Sequence, residues 1–177
     1  MRSLSRSSLS LFLLLLVVSC GGKPAYKAPC EYTYEQEAVR VDLVAAPDLN
    51  NYNNQPHTVL VLLYQLSDPN MFKQLLESQE GAGRLLEGKA FDGSVVSHRQ
   101  LVVQPGEVKQ LKMDRVQGAR YLGIVAGFYN QQAQNYSRLY PIPTRAERSI
   151  FGKEKACYSM PLDVALRLGS DGFVGGE

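Results

Sequence analysis

From Ala38 onward apolar and polar residues alternate, with Val39, Val41, Leu43 and Ala45 on one side and Arg40 and Asp42 on the other. That is the period of a strand with one face buried. Pro47-Asp48 ends it. Val59 to Leu66 is apolar at nearly every position before Tyr64-Gln65, which predicts a strand buried on both faces and central in its sheet. Between the two lies Asp48-Leu49-Asn50-Asn51-Tyr52-Asn53-Asn54-Gln55-Pro56, so dense in turn formers and amides that a surface loop is expected. The period then becomes helical: Ser67-Asp68-Pro69 offers cap residues and a first-turn proline, and Met71, Phe72, Leu75 and Leu76 follow at helical spacing. A second short helical piece is expected around Arg84 to Leu86, after Gly81-Ala82-Gly83, and the apolar stripe of both is read as a packing face.

The remainder returns to strands. Val95 to Val103 and Val108 to Met113 are separated by Pro105-Gly106, a tight-turn dipeptide that predicts a hairpin. Tyr121 to Tyr129 is strongly apolar, Tyr136 to Ile142 is its expected partner, and Leu162 to Leu168 is a last alternating strand. Pro143 to Ser159 is charged and reads as irregular. About seven strands with one helical insertion, at about 68–88, and no regular exchange of helix with strand describe an all-β, two-sheet antiparallel sandwich over 37–177. No internal repeat is visible.

Upstream of this the chain is of another kind. Arg2 and Arg6 precede a ten-residue run from Leu9 to Val18 and then Ser19-Cys20, the layout of a secretory signal over 1–19. As a helix that run would reach ~15 Å, about half of a ~30 Å hydrocarbon core, too short for a stable anchor. A cysteine directly after a small residue supplies the thiol for lipid transfer before cleavage, so Val17-Val18-Ser19-Cys20 reads as a lipobox with Cys20 as the lipidated residue. Gly21-Gly22 follows the cysteine where an aspartate would resemble the inner-membrane retention signal of enterobacterial lipoproteins, so that resemblance implies transport to the outer membrane. The Gly-, Pro- and Lys-rich stretch from Gly21 to Glu35 shows no periodicity and is expected to be a tether, putting the folded domain's start at 37.

Cleavage before Cys20 removes two arginines and no acid, taking the formal charge from +2 to zero. A neutral domain is a poor ligand for nucleic acid. Cys30 and Cys157 then remain, an even pair in an oxidising compartment; they could be joined or could stay as two thiols. No metal is expected, since those cysteines and the distant His57 and His98 lack ligand spacing, and no cofactor motif survives inspection. Gly83 to Lys89 fits the phosphate-loop spacing, but Ala90 stands where the magnesium-binding hydroxyl belongs and no strand precedes it. There is no G-x-S-x-G, neither histidine has a neighbouring nucleophile, and the aspartates are explained by turns, caps and solvent faces, so no enzyme is read here. Two other classes stay in view, a sandwich that binds a small molecule or glycan and a hydrolase. The first would need a closed pocket lined by aromatics, the second converging acids or a Ser-His pair.

Tyrosine changes the picture: there are ten, with no tryptophan. A phenol couples broad apolar area to a polar tip, which suits interfaces. Tyr129, Tyr136 and Tyr140 are accounted for by sheet edges, and Tyr52 inside the amide loop is the candidate for contact with a partner.

The order lipobox, tether, Val41-Asp42-Leu43, Asp48-Leu49-Asn50, Tyr64-Gln65-Leu66 and Phe72 in a helix, then Leu101, Pro105-Gly106 and Tyr121-Leu122-Gly123-Ile124-Val125-Ala126-Gly127-Phe128, resembles the type VI secretion lipoproteins known as TssJ, VasD or SciN. The match runs from about Val41 to Arg138. It implies a transthyretin-like sandwich with a helical protrusion after the second strand, and a role as an outer-membrane anchor on the periplasmic face. That anchor would bind the periplasmic C-terminal part of TssM and so help build the complex with TssL. In the family the loop between the first two strands is a principal contact, which on this chain makes Asp48, Leu49, Asn50, Asn51, Tyr52, Asn53 and Asn54 the partner-binding candidates. Two positions depart from the family pattern: Asn51 replaces a common proline, and Tyr136-Ser137-Arg138 lacks the usual tryptophan before the arginine.

Overall fold

The computed structural model describes residues 29–130, 135–148 and 154–175; the signal, Cys20 and the tether up to residue 28 lie outside the described residues. Among the described residues, eleven strands and two helices follow in the order β1 (Cys30–Glu31), β2 (Glu35–Ala45), β3 (Val59–Leu66), α1 (Asn70–Leu75), α2 (Gln79–Leu86), β4 (Val95–Val103), β5 (Val108–Arg115), β6 (Tyr121–Ala126), β7 (Ser137–Pro141), β8 (Thr144–Arg148), β9 (Glu154–Ser159), β10 (Leu162–Leu168) and β11 (Phe173–Val174). They make two four-stranded sheets, β11-β10-β2-β5 and β4-β3-β6-β7, and a small third sheet, β1-β9-β8. The fold is a β-sandwich with a short helical insertion.

The alternation in β2 does what its period predicts. Val39, Val41, Leu43 and Ala45 are buried while Arg40, Asp42 and Val44 face solvent. β3 is central, between β4 and β6, and is buried almost throughout. One face of β3 meets the opposite sheet; the other is covered by the helices, where Tyr64, Phe72 and Phe91 form a ring cluster with centroids 5.3 to 6.4 Å apart. Phe72 lies on Gly123 so closely that a Cβ there would fall 2.8 Å from the ring.

Several elements depart from the pattern read in the sequence. β4 and β5 are not a hairpin: β4 pairs with β3 and β5 with β2, so the Pro105-Gly106 turn carries the chain from one sheet to the other. Gly106 has φ +72° and Glu107 N donates to Gln104 O at 3.1 Å, a type II turn, which splays its flanking strands rather than pairing them. β10 lies parallel to β2, with Leu162 opposite Val39 and Leu168 opposite Ala45. A period of two tells which residues are buried but not which way a strand runs. The stretch read as irregular, 143–159, contains β8 and β9, whose first strand is exposed along Thr144 to Glu147 and so carries no hydrophobic pattern.

The helices start differently too. Pro69 takes the cap position of α1 rather than its first turn, and Asp68 Oδ1 accepts the Asn70 N–H at 2.8 Å. α2 begins at Gln79, earlier than expected, with Ser78 Oγ accepting the Gly81 N–H at 3.0 Å. Glycine is required at position 81, because a Cβ would collide with the carbonyl oxygen of Leu75 in the neighbouring helix. The described fold begins at β1, so residues 30–36, assigned by periodicity to the tether, pair with the sandwich. In that segment Cys30 is joined to Cys157.

Tyr64 gives the covered face a polar contact, its hydroxyl donating to Leu85 O at 2.5 Å. Burial pushes its pKa up to about 12. A value raised above the ordinary 10 means that the phenol's contribution is whole below pH 10 and fades as pH climbs towards 12. Tyr64→Phe is therefore expected to cost about 0.5 to 1.5 kcal/mol in urea denaturation at neutral pH. The gap between variant and parent should narrow above pH 10; a gap that stays constant would contradict the assignment.

Candidate partner-binding surface

The connection from β2 to β3 is built from the inside out. Leu49 is fully buried and Asn50 is 2 % exposed, so these two are the loop's root rather than its surface. His57 N donates to Leu49 O at 2.9 Å, closing the root. Asn50 N and Asn51 N donate to Gly169 O and Ser170 O at 3.1 and 2.9 Å, fastening the loop to the end of β10. The Asn50 side chain is satisfied at both ends: Nδ2 donates to Thr58 O at 3.1 Å, and Oδ1 accepts the Tyr129 N–H at 2.8 Å. Asn50 has φ +49°, a left-handed conformation that asparagine tolerates better than other L residues with larger side chains.

Beyond that root the loop narrows to a two-residue hairpin. Tyr52 and Gln55 exchange both backbone hydrogen bonds, at 2.9 and 3.0 Å, and Asn53 and Asn54 between them have φ +51° and +63°. Two consecutive positive φ values define a type I′ turn, in which asparagine is second only to glycine. Asn53 and Asn54, partner-binding candidates by the resemblance, thus also have a conformational part to play in the turn.

Tyr52 sits at the base of this hairpin, 51 % exposed, with its ring stacked on Tyr129 at a centroid distance of 4.9 Å and an interplanar angle of 21°. Tyr129, 60 % exposed, follows the end of β6. His57 packs edge-on against it at 5.0 Å. Two large exposed rings, each stacked on the other and carried by a hydrogen-bonded backbone, form an aromatic tip with little left to lose in side-chain entropy on contact. Asp48, Tyr52, Asn53 and Asn54 are exposed around it and Asn51 is half-buried.

Tyr129 was not distinguishable in the sequence from the tyrosines that stiffen sheet edges. Its only local signal is that Gly127-Phe128 interrupts the strand just before it, and its neighbour Tyr52 is remote in the chain. The cysteines lie elsewhere. β2 carries the chain from the Cys30 end of the sandwich to this loop, and the steps between its 11 residues span at most about 34 Å at ~3.4 Å each. Cys20 is outside the described residues.

Chemically the tip offers amides, phenols and one imidazole. His57 Nδ1 is buried and makes no hydrogen bond among the described residues. No group of three His, Cys, Asp or Glu that could hold a metal occurs among the described residues. The cleft beside the tip, ≈ 280 Å³ and lined by Asn50, Thr58, Leu60, Val102 and Tyr129 among others, has a single exposed aromatic wall.

The family model for type VI secretion lipoproteins, described as VasD, EvfM and TssJ, matches residues 37–169. No curated protein matches the chain in sequence. Among solved structures, the type VI secretion lipoprotein TssJ1 from Pseudomonas aeruginosa is similar at 21 % identity, with 82 % of this chain and 97 % of that one covered and a TM-score of 0.55. Serratia marcescens Lip, a membrane-bound component of the type VI secretion system, is similar at 18 % identity over 78 % and 96 % of the two chains, TM-score 0.56. A chain of the structure of the TssM C-terminal domain from EAEC is similar at 16 % identity over 77 % and 94 %, TM-score 0.56. At such identities the three structures speak to the fold alone.

The geometry of the root makes Asn50 its most sensitive position. Asn50→Ala strands a backbone N–H and a carbonyl and puts a Cβ-bearing residue at positive φ, for an expected loss of about 2 to 3 kcal/mol in chemical denaturation. Asn54→Gly, which suits the turn, should stay within about 0.5 kcal/mol of the parent. Equal effects of the two would refute the division into root and tip.

Proposed function

The chain belongs to the type VI secretion lipoprotein family of VasD, EvfM and TssJ, lipoproteins of the secretion membrane complex and not enzymes, and on that premise we propose that it is the complex's outer-membrane anchor. In this reading lipid on Cys20 holds the N-terminus in the periplasmic leaflet, and the aromatic tip binds the periplasmic C-terminal region of TssM, which links the anchor to TssL. The observation that carries it is the exposed Tyr52–Tyr129 stack on a hydrogen-bonded loop, a strand's length away from the end where the N-terminus enters the sandwich.

The physical logic is that of a hot spot. Interface energy concentrates in a few aromatic or arginine anchors, and tyrosine's two rotatable bonds make its ordering inexpensive. The near-neutral mature chain supplies no long-range steering, so specificity has to come from the fit of rings and amides. Asp48, Asn51, Asn53 and Asn54 then act as rim groups, while Leu49 and Asn50 act through the shape they impose. Lipid suits the other end, since several buried acyl chains at ~0.8 kcal/mol per CH₂ hold a soluble domain on a bilayer that one chain would hold only weakly.

Two measurements test this. Tyr52→Ala and Tyr129→Ala in the domain beginning at residue 29 should each weaken binding to the cognate TssM periplasmic fragment by about 30-fold, equivalent to ~2 kcal/mol, without a change in melting temperature. Undiminished binding by the double variant would move the contact off this loop, and no binding by the parent would dismiss the partner. Separately, Cys20→Ser should shift the exported protein from the membrane to the soluble fraction; membrane retention by that variant would sink the lipid anchor.

A further inference from the structure

The segment 30–37 is fastened to the sandwich at nearly every residue. Cys30 is bonded to Cys157, its own register partner in the two-residue pairing of β1 with β9. Tyr32 O accepts the Gly118 N–H at 2.8 Å, and the Arg120 guanidinium lies over its ring at 5.5 Å. Tyr34 donates its hydroxyl to Asp114 Oδ2 at 2.7 Å, and Glu37 N donates to the other oxygen of the same carboxylate at 2.9 Å. At the centre is Arg115, 1 % exposed, a buried cation the sequence reading did not single out. Its Nε donates to Thr33 O at 3.0 Å, one terminal nitrogen to Met160 O at 3.0 Å and the other to Glu35 Oε2 at 2.7 Å.

Arg115 and the disulfide therefore close on the same place from two sides. Arg115 sits at the end of β5 and joins the incoming segment to Met160, in the junction between β9 and β10, while the disulfide joins that segment to β9 three residues earlier. We propose that the Cys30–Cys157 bond and the Arg115 side chain form a clasp that fixes the point at which the N-terminal segment leaves the sandwich, and so sets the reach of the anchor. The purpose rests on the anchor reading above; the clasp itself does not.

Chain length gives the size of the effect. From Cys20 to Cys30 is ten residue steps, at most about 35 Å of extended chain. Were the segment released as far as Ala38, where burial in β2 begins, the limit would rise to about 60 Å. Two backbone pairs in β1, unsupported, would not resist opening, since short peripheral strands lie at the low end of local stability. The covalent bond converts that fraying into a ring closure.

Glu31, Glu35 and Glu37 all lie within the clasped segment, which makes cleavage after glutamate a direct reader of its release. The exported chain, purified from whichever fraction holds it, as the parent and as Cys30→Ser, is treated with a glutamate-specific protease, and the products are read on denaturing, reducing gels and by mass. The expected result is cleavage in 31–37 about tenfold faster in Cys30→Ser, with hydrogen exchange of β3 and β6 amides unchanged. Equal cleavage rates would show that the bond does not hold the segment and overturn the proposal. Faster cleavage and exchange throughout the sandwich would overturn it too, because the bond would then support the whole fold rather than its entry point. Cys157→Ser must reproduce the Cys30→Ser result. The assay reads the same whether or not Cys20 carries lipid, so its failure leaves the anchor reading standing.

Discussion

A sandwich of this kind buries the ends of its strands, where backbone N–H and carbonyl groups have outrun the ladders and still need partners. Three buried polar side chains meet that demand. Asn50 serves Thr58 O and Tyr129 N at one end; at the other, Gln65 donates to Asp114 O at 2.8 Å and accepts the Val116 N–H at 2.9 Å, tying β3 across to the end of β5. Arg115 serves Thr33 and Met160. Each joins elements of different sheets or loops, and each would be costly to lose because its removal strands backbone groups as well as itself. The aromatic tip and the clasp are both extensions of this solution, built outward from Asn50 and Arg115.

The hydrophobic pattern carried the elements whose faces see different solvents. β2 and β10 alternate, β3 is apolar on both faces because helices cover one of them, and β7 follows β6 as its antiparallel partner. What the pattern left unsaid was direction and pairing. The Pro105-Gly106 turn looks the same in sequence whether it joins paired strands or separates them, and only its type II geometry decides. β8 is exposed where its side chains are described, so nothing in its composition marked it as a strand.

The site was legible in part for the same reason. Amide density located the loop, and an exposed tyrosine within it was a sound candidate because phenols are seldom placed among turn residues without use. The same density hid a division of labour. Leu49 and Asn50 belong to the core, Asn53 and Asn54 to the turn, and the ring that completes Tyr52 comes from beyond β6. Arg115 was invisible because a lysine- and arginine-bearing strand such as Val108–Arg115 ordinarily keeps its cations in water.

The parallel pairing of β10 with β2 has a temporal side. β2 is the first long strand of the chain and β10 the last, so a polypeptide emerging from its N-terminus exposes one edge of β2 until residue 168 has appeared. The sheet β11-β10-β2-β5 cannot close by hairpins formed in passing, and its completion waits on pairs as far apart in the chain as Val39 and Leu162. The β2–β5, β3–β4 and β3–β6 pairs all lie within residues that appear before β10, which leaves the interval before completion as the time when one edge of β2 is open to chaperones or to aggregation.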